Sequence, residues 1–279
     1  RRSLRTLTMT SATTGRMSGS DVHVFCSNDY LGLAHHPKVI QAFEGAGSGA
    51  SRLISGNRPV HQRLEERLGE LFGRPVTLFS SGYHANLALM STVLEAGDVV
   101  CSDALNHASI IDGLRLSKAR RNIIPHGQAE HIDAAARMVV VEGLYSMDGD
   151  ALALADYCGE HWLAVDEAHS FGVLGPEGRG VAAAQGVEPD FLVGTLGKAL
   201  GSYGAFVVGP PSLRELLISR GRSFIFTTGL PEPVVHAALV AMDLATDERR
   251  ERLKERVAQL RGGLADLGLS ATGTNHIVP

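Results

Sequence analysis

The sequence has 279 residues, of which 44% are hydrophobic and 20% charged, and a chain of this length can bury a substantial core. Its 30 acidic and 26 basic side chains give a net charge of −4 without a long block of one sign, which excludes the basic surface typical of nucleic-acid-binding proteins. The three cysteines are widely spaced, and no apolar run approaches the roughly 18 residues of a membrane span. We therefore expect a cytoplasmic enzyme that acts on small molecules, with no metal, no nucleic acid and no membrane partner.

Short apolar runs recur along the chain and end in small or polar residues, as buried strands do. They cover residues 76–79, 99–100, 138–141, 163–165 and 191–193. Helix-like stretches alternate with them, for example residues 60–71, where Leu64, Leu68 and Leu71 share one face. This alternation predicts an α/β fold with a mostly parallel sheet sandwiched by helices. Ligands of such sheets collect beyond the carboxyl ends of the strands.

The first polar cluster after a strand is the turn Ser81-Gly-Tyr-His-Ala-Asn86, which leads into an apolar helix. Free amide groups and the positive end of the helix dipole make such a turn suitable for a phosphate group. Every strand-to-helix unit has a turn of this kind. The motif alone therefore leaves open whether Tyr83 and His84 contact a ligand or pack on the helix.

Two polar segments follow later strands: Leu105-Asn-His-Ala-Ser109 and Glu142-Gly-Leu-Tyr-Ser-Met-Asp-Gly-Asp150. His107 is suited to stack on an aromatic cofactor, and its alternative role is that of a capping histidine. The hydroxyl group of Ser146 is able to donate to a phenolic oxygen of such a cofactor.

An acidic residue ends the run at 163–165, in the motif Asp166-Glu-Ala-His169. A buried carboxylate requires a cation or a hydrogen-bond donor. The protonated pyridine nitrogen of pyridoxal phosphate is such a donor, and the carboxylate keeps the ring an effective electron sink. Taken alone, the motif fits a helix N-cap aspartate equally well.

A lysine lies among glycines after the last predicted strand, in Gly194-Thr-Leu-Gly-Lys-Ala-Leu-Gly201. A P-loop is excluded because Ala199 stands where Ser or Thr must reach magnesium. The glycines let a bulky group approach the backbone, as a Schiff base between Lys198 and pyridoxal phosphate requires. A solvated loop lysine is the simpler alternative.

These motifs occur together and in order, with Ser27-Asn-Asp-Tyr-Leu-Gly32 preceding them. In combination the chain resembles the α-oxoamine synthases, which are fold-type I pyridoxal phosphate enzymes. Members of this family condense an amino acid with an acyl-CoA thioester and release carbon dioxide. The resemblance extends from about Arg5 to Leu267 and implies pyridoxal 5′-phosphate as the cofactor.

The resemblance also implies a role for each matching residue. Lys198 is expected as the Schiff-base lysine and catalytic base, Asp166 as the partner of the pyridine nitrogen, His107 as the residue stacked on the ring, and Ser146 and His169 as neighbours of the phenolic oxygen. The cofactor and phosphate contacts are expected from Ser81, Gly82, Tyr83 and Thr195, and from Thr227 or Thr228 of the neighbouring subunit. Asn28, Glu142 and Arg5 are expected to bind substrate, with Arg5 at the distal carboxylate of the acyl chain. A homodimer with shared active sites follows from these roles.

Within the family, residues 25–33, 166–172 and 201–206 are most similar to members that condense L-alanine with pimeloyl-CoA, or with the pimeloyl carrier protein, in biotin synthesis. Another acyl-CoA and amino-acid pair, such as acetyl-CoA with glycine, is the alternative. A nicotinamide-dependent enzyme is disfavoured because no strand is followed by Gly-x-Gly-x-x-Gly opening a helix. A non-catalytic protein of the same fold is disfavoured because the lysine, aspartate and histidine are all retained.

The implied organisation is an N-terminal arm at residues 1–34, a large cofactor domain at 35–232, and linker helices with the start of an incomplete C-terminal domain at 233–279. Between Glu44 and Gly45, at 130–138 and at 150–163 the segments are shorter than those of the family. The last of these leaves little room for a helix between two parallel strands. An arginine that holds the amino-acid carboxylate in the family's C-terminal domain has no counterpart here.

Overall fold

The structure is a computed structural model that describes residues 4–279. The strands are β1 (Leu7–Met9), β2 (Thr14–Met17), β3 (Ser20–His23), β4 (Val76–Phe79), β5 (Val99–Asp103), β6 (Arg120–Ile124), β7 (Met138–Glu142), β8 (Trp162–Asp166), β9 (Phe191–Thr195) and β10 (Ala205–Val208). The α-helices are α1 (Pro37–Gln41), α2 (Pro59–Phe72), α3 (Gly82–Val93), α4 (Ala108–Leu116), α5 (Val181–Ala184), α6 (Pro211–Arg220), α7 (Arg222–Ile225), α8 (Glu232–Leu244) and α9 (Asp247–Asp266). None of these helices is long and apolar enough to cross a membrane.

A seven-stranded sheet forms the centre, in the order β4-β10-β9-β8-β7-β5-β6. Every pair is parallel except those that β10 makes with β4 and β9. The prediction of a mostly parallel sheet covered by helices is therefore confirmed. The apolar runs did not predict β6, whose two arginines are exposed at the edge of the sheet, or β10.

The sheet is buried on both faces, which explains the continuous apolar runs of its strands. On one face it packs against α2 and α8, with Leu64 and Leu68 of α2 completely buried. Helix α2 begins at Pro59, and the apolar face that the sequence predicted for it is the face that packs on the sheet. Helices α3, α4, α6 and α7 contribute to a second cluster with Phe79 and Phe191.

The connection between β7 and β8 contains only a short 3₁₀ turn, Leu154–Tyr157, instead of an α-helix. Leu154 and Tyr157 are buried against Val139 and Leu163 of the sheet. The prediction that residues 150–163 are too few for a crossover helix is therefore confirmed. The side chains of Leu154 and Tyr157 cover this part of the sheet in place of a helix.

Outside the central sheet, β1, β2 and β3 form a small antiparallel sheet that the sequence patterns did not predict. The predicted helical region after residue 233 corresponds to α8 and α9. His276, near the end of the described residues, lies in no strand. The domain boundaries after residues 34 and 232 stay a prediction.

Candidate active site

The carboxyl ends of β7, β8 and β9 bring the polar motifs together. Glu142 and Asp166 are paired in register at the ends of β7 and β8, and Asp166 is paired with Val193 of β9. Strand β9 ends at Thr195, and Lys198 follows in the next turn. The hydroxyl group of Thr195 accepts from the amide of Gly197 at 3.2 Å and donates to the carbonyl of Gly204 at 3.0 Å. Thr195 thus shapes the turn that carries the lysine.

The amine of Lys198 lies 2.7 Å from Nε2 of His169. Burial lowers the pKa of Lys198 below its ordinary value, although the negative charges of Asp166 and Glu142 oppose this effect. A lowered pKa increases the fraction of neutral amine near pH 7, and the neutral form is the one that attacks carbonyl carbon or accepts a proton. The lysine therefore has the properties that Schiff-base chemistry requires.

His169 lies between Lys198 and the hydroxyl group of Tyr30, which is 2.6 Å from Nδ1 of the ring. The Tyr30 hydroxyl donates to Oδ1 of Asn28 at 3.1 Å. Because its one hydrogen is used there, this hydroxyl accepts from Nδ1–H of His169. Nε2 is then the acceptor for the Lys198 amine. Burial, followed by the charge of Lys198, lowers the pKa of His169 to about 3, so the ring is neutral.

Tyr30 was given no role by the sequence, although it lies in the same motif as Asn28. Its ring packs edge-on against His276, with centroids 4.4 Å apart. Burial raises the pKa of Tyr30, so its hydroxyl group stays protonated. Its position could have identified it. Tyr30 carries a hydroxyl group two residues after Asn28, the predicted substrate contact, and directly before the buried Leu31.

Asp166 is 6% exposed and accepts two hydrogen bonds. Nδ2 of Asn86 donates to one carboxylate oxygen at 2.7 Å, and the amide of Ala168 donates to the other at 2.9 Å. No α-helix begins at Asp166, because the next helix along the chain is α5. The alternative of a helix N-cap is therefore wrong, and the carboxylate is held in place by a turn and by Asn86.

Asn86 also connects Asp166 to His107. Its Nδ2 donates to the hydroxyl group of Ser109 at 3.0 Å, and that hydroxyl lies 2.7 Å from Nδ1 of His107. His107 caps α4 by accepting from the amide of Ser109 at 3.2 Å, while the residue as a whole is exposed. The capping role and a stacking role are compatible, since capping uses one ring nitrogen and stacking uses the ring face.

Glu142 is 5% exposed, and one of its carboxylate oxygens accepts from the amide of His107 at 2.6 Å. Burial, followed by the charge of Asp166, raises the pKa of Glu142 to about 8. Ser146 is exposed in the loop after Glu142. That loop is closed by a hydrogen bond of 2.9 Å from the amide of Tyr145 to the carbonyl of Asp150.

The predicted phosphate turn lies at the start of α3, directly after β4. Ser81 caps the helix, and its hydroxyl accepts from the amide of His84. Within residues 4–279, the amides of Gly82 and Tyr83 donate no hydrogen bond. The phenol of Tyr83 donates to Asp112 of α4, so its hydroxyl group does not pack on α3. The open amides fit the phosphate role.

The predicted residues that form no hydrogen bond with this cluster in the described part of the chain include Ser146, Arg5, Thr227 and Thr228. Thr227 and Thr228 follow α7, in a segment where Thr228 pairs with Ser51. The carbonyl of Gly229 in that segment accepts from the hydroxyl of Ser48 at 2.7 Å. Arg5 is exposed ahead of β1.

The remaining site residues fit pyridoxal phosphate. The half-buried amine would meet the aldehyde, the buried carboxylate the pyridine nitrogen, and the open amides at the start of α3 the phosphate. All three groups lie at the carboxyl ends of strands of the central sheet or in the turns that follow them, at the same edge of the sheet.

Residues 20–279 match the family described as class I and II aminotransferases. This chain belongs to that family. A curated relative within it, the 8-amino-7-oxononanoate synthase of Methylococcus capsulatus, is 48% identical over 268 residues, covering 88% of this chain and 69% of that protein. The 8-amino-7-oxononanoate synthase of Saccharophagus degradans is 45% identical over 269 residues, covering 88% of this chain and 68% of that protein.

Solved structures of aminotransferase-family proteins agree with the fold. The 8-amino-7-oxononanoate synthase of Francisella tularensis has a TM-score of 0.78 at 30% identity, covering 91% of this chain and 78% of that one. A serine palmitoyltransferase of S. paucimobilis, described with bound PLP, has a TM-score of 0.91 at 33% identity, covering 97% and 76%. The expected fold type I and the resemblance to α-oxoamine synthases are confirmed.

The aminotransferase-family relatives also bear on the shorter segments of this chain. A relative from Desulforudis audaxviator is 43% identical over 302 aligned positions, which is more than the 279 residues of this chain. That relative therefore has residues within the aligned span that this chain lacks. This agrees with the short connection between β7 and β8.

Proposed function

We propose that this chain catalyses the decarboxylative condensation of L-alanine with a pimeloyl thioester. The products are 8-amino-7-oxononanoate, carbon dioxide and the free thiol, as in biotin synthesis. The names of curated relatives at 43–48% identity support the reaction. The observation that carries it is the half-buried amine of Lys198, hydrogen-bonded to a neutral His169 within the same cluster as Asp166.

Pyridoxal 5′-phosphate is the cofactor, and when bound it supplies an electron-withdrawing ring that accepts the charge left on the α-carbon of the amino acid. Lys198 would hold it covalently and, when released, take the α-proton on its neutral amine. His169 accepts a hydrogen bond from that amine and directs it. Because burial lowers the pKa of His169 to about 3, the ring is a weak base and leaves the proton to Lys198.

Asp166 would bind the pyridine nitrogen, since its carboxylate is negatively charged, held by Asn86 and located at a strand end. A carboxylate a few ångströms from the pyridine nitrogen would favour the protonated, positively charged form of that nitrogen. His107 would cover one face of the ring, oriented through Ser109. Ser146 would approach the phenolic oxygen, and Gly82, Tyr83 and Ser81 the phosphate.

Substrate contacts are proposed for three further residues. Asn28 is joined to Lys198 through Tyr30 and His169, which favours a position next to the amino acid. Glu142 lies beside Asp166 and would face the same space. Arg5 would meet the distal carboxylate of the pimeloyl group, because a guanidinium binds a carboxylate through two parallel hydrogen bonds.

We also propose a homodimer in which Thr227 and Thr228 serve the partner's cofactor phosphate. Two large apolar side chains next to this segment support an interface there. Phe226 is 71% exposed, and Ile54, close in sequence to the Ser51 that pairs with Thr228, is 81% exposed. Large apolar side chains that are exposed close together typically mark a site of protein–protein contact.

The experiment is product analysis of the purified protein with pyridoxal phosphate. Pimeloyl-CoA is offered with L-alanine, glycine or L-serine, and acetyl-CoA is offered with glycine. We expect the ketone from alanine and pimeloyl-CoA, identified by mass spectrometry, at least about tenfold above each other pair. The Lys198→Ala variant is the control. Preference for acetyl-CoA with glycine, or no product from protein that binds the cofactor, would make the proposal wrong.

A further inference from the structure

A second histidine, outside the cluster around Lys198, bridges two carboxylates. Nδ1 of His126 lies 2.9 Å from one oxygen of Asp103, and Nε2 lies 2.8 Å from one oxygen of Asp150. The Asp103 side chain is fully buried at the end of β5, and the His126 side chain is 26% exposed. Such a buried carboxylate requires firm hydrogen-bond donors.

The bridge requires a donor at both ring nitrogens. An ionised carboxylate only accepts hydrogen bonds, and a neutral imidazole has a single N–H. Both contacts are therefore hydrogen bonds only when His126 is an imidazolium. Burial alone would lower the pKa of His126, but the hydrogen bonds to Asp150 and Asp103 and their charges outweigh burial and raise the pKa above its ordinary value.

The two carboxylates belong to the two loops that carry candidate cofactor contacts. Asp103 accepts from the amide of Leu105 at 2.8 Å, in the turn that ends at His107. On the other side, the backbone carbonyl of Asp150 closes the loop of Ser146 by accepting from the amide of Tyr145 at 2.9 Å. The His126 ring also packs edge-on against Tyr145, with centroids 4.5 Å apart.

Tyr145 joins the same two loops a second time. Its hydroxyl accepts from the amide of Glu142 at 3.2 Å and donates to Oδ1 of Asn106, next to His107, at 3.4 Å. The ring of His126 therefore contacts the side chain of Tyr145, which links Glu142 to Asn106. A change in the charge or position of His126 reaches both loops.

We propose that His126 is a positioning residue that, as an imidazolium, clamps the loop of His107 to the loop of Ser146 and so sets their spacing. The roles of His107 and Ser146 rest on the proposed function, whereas the clamp itself does not. When His126 loses a proton, one of the two hydrogen bonds is lost. The lone pair of that ring nitrogen then faces a carboxylate oxygen, and the two repel each other.

The other titratable groups around the clamp are acidic or phenolic. The Asp103 charge acts on Glu142, Tyr145 and Tyr157. Burial is the main cause of a raised pKa at each of these three, and Glu130 adds its charge at Tyr157. Asp103 and Asp150 are the groups that contact His126 directly, so replacing one of them changes the clamp most selectively.

The test uses nitrogen-15 NMR of uniformly labelled protein without cofactor, between pH 6 and pH 10, so that both the His126 ring nitrogens and the backbone amides are observed. We expect His126 to carry protons on both nitrogens at pH 7. Its deprotonation should shift the backbone amides of Leu105 and Tyr145 with the same midpoint. A His126 that is neutral at pH 7, or amides that do not follow its titration, would overturn the proposal. This arm involves no catalysis, so its failure is distinct from failure of the proposed function.

Asp150→Asn is the decisive variant, because a carboxamide donates as well as accepts and a neutral His126 then satisfies both contacts. We expect its His126 midpoint to fall by at least about one pH unit. Asp148→Asn, an exposed neighbour in the same loop, is the matched control and should leave the midpoint unchanged. Equal midpoints in Asp150→Asn and the wild type would overturn the clamp.

A second readout is cofactor affinity against pH, followed by the visible band of the bound cofactor. The Lys198 amine titrates in every protein compared, so only differences between the curves report on His126. We expect wild type and Asp148→Asn to lose affinity about threefold more than Asp150→Asn on the alkaline side. Superimposable curves for all three, with thermal melts confirming folding, would show that the clamp does not position the cofactor contacts.

Discussion

Tyr30 and His169 are joined by a hydrogen bond of 2.6 Å although 139 residues separate them in the chain. This bond determines which nitrogen of His169 carries the hydrogen. The other nitrogen is then free to accept from the Lys198 amine. The orientation of the lysine thus depends on a phenol whose hydrogen bonds in the described residues go to Asn28 and His169 and not to the lysine or Asp166.

Replacing Tyr30 by Phe keeps the ring and removes the hydroxyl acceptor. We expect the hydrogen of His169 to shift toward Nε2, which then no longer accepts from Lys198. Loss of one buried hydrogen bond is worth about 1–2 kcal/mol, so kcat/KM should fall about 5- to 30-fold. Histidine nitrogen-15 NMR reports the tautomer and steady-state kinetics the rate. Tyr203→Phe, an exposed tyrosine, is the control, and an unchanged tautomer would contradict the argument.

Lys198 should be the residue that binds the cofactor covalently, because it is the lysine whose pKa burial lowers. We expect a yellow protein and, after borohydride reduction, a cofactor adduct on the peptide that contains Lys198. Peptide mapping by mass spectrometry locates the adduct. Lys254→Ala, on the exposed face of α9, should behave as wild type, whereas an adduct on Lys38, Lys118 or Lys254 would assign the cofactor elsewhere.

Asp166→Asn is nearly isosteric and removes the charge that would hold the pyridine nitrogen protonated. The exchange of the α-hydrogen of alanine with deuterium should slow by roughly 100-fold or more, since each 1.4 kcal/mol is about tenfold. Binding of the cofactor to Lys198 should survive. Proton NMR follows the exchange, thermal melting checks folding, and the exposed Asp156→Asn is the charge-matched control. Exchange near the wild-type rate would withdraw the proposed role of Asp166.

Glu142 should make folding stability depend on pH. Burial and the Asp166 charge raise its pKa from 4.5 in the unfolded chain to about 8, so the folded protein binds more protons between these values. The stability that this group contributes is complete below pH 4.5 and is lost as pH rises through 8. Relative to Glu142→Gln, the wild type should lose roughly 2–4 kcal/mol over this interval. Urea unfolding at several pH values measures it, and parallel curves would refute it.

The proposed dimer should depend on the exposed apolar side chain beside the threonine pair. Phe226→Asp places a charge at this position and should yield a monomer that retains the cofactor several-fold less well. Light scattering gives the mass, and equilibrium dialysis the affinity. Leu116→Asp, at an apolar side chain on α4 that is 61% exposed, is the control. A wild-type monomer that holds the cofactor fully in dilute solution would remove the basis for shared sites.

The location of the candidate site was accessible from the sequence because its signals are local. Buried parallel strands are continuous apolar runs, and their carboxyl ends lie at one edge of a sheet. The polar residues after those runs, among them Glu142, Asp166 and Lys198, could therefore be assigned to one place without knowing the order of the strands. The absence of a crossover helix between β7 and β8 could likewise be predicted, because the number of residues between the two strands is too small for one.

The connections among these residues were decided by the tertiary structure alone. Asn86 reaches Asp166 across 80 residues, and His126 reaches Asp150 across 24. Strand β10 is inserted antiparallel between β4 and β9, which no local pattern specifies. Apolar periodicity records only whether a side chain is buried, whereas a hydrogen bond depends on distance and direction between segments that the fold brings together. The sequence by itself thus determined which residue types stand at the strand ends, and the packed sheet decided which of them touch.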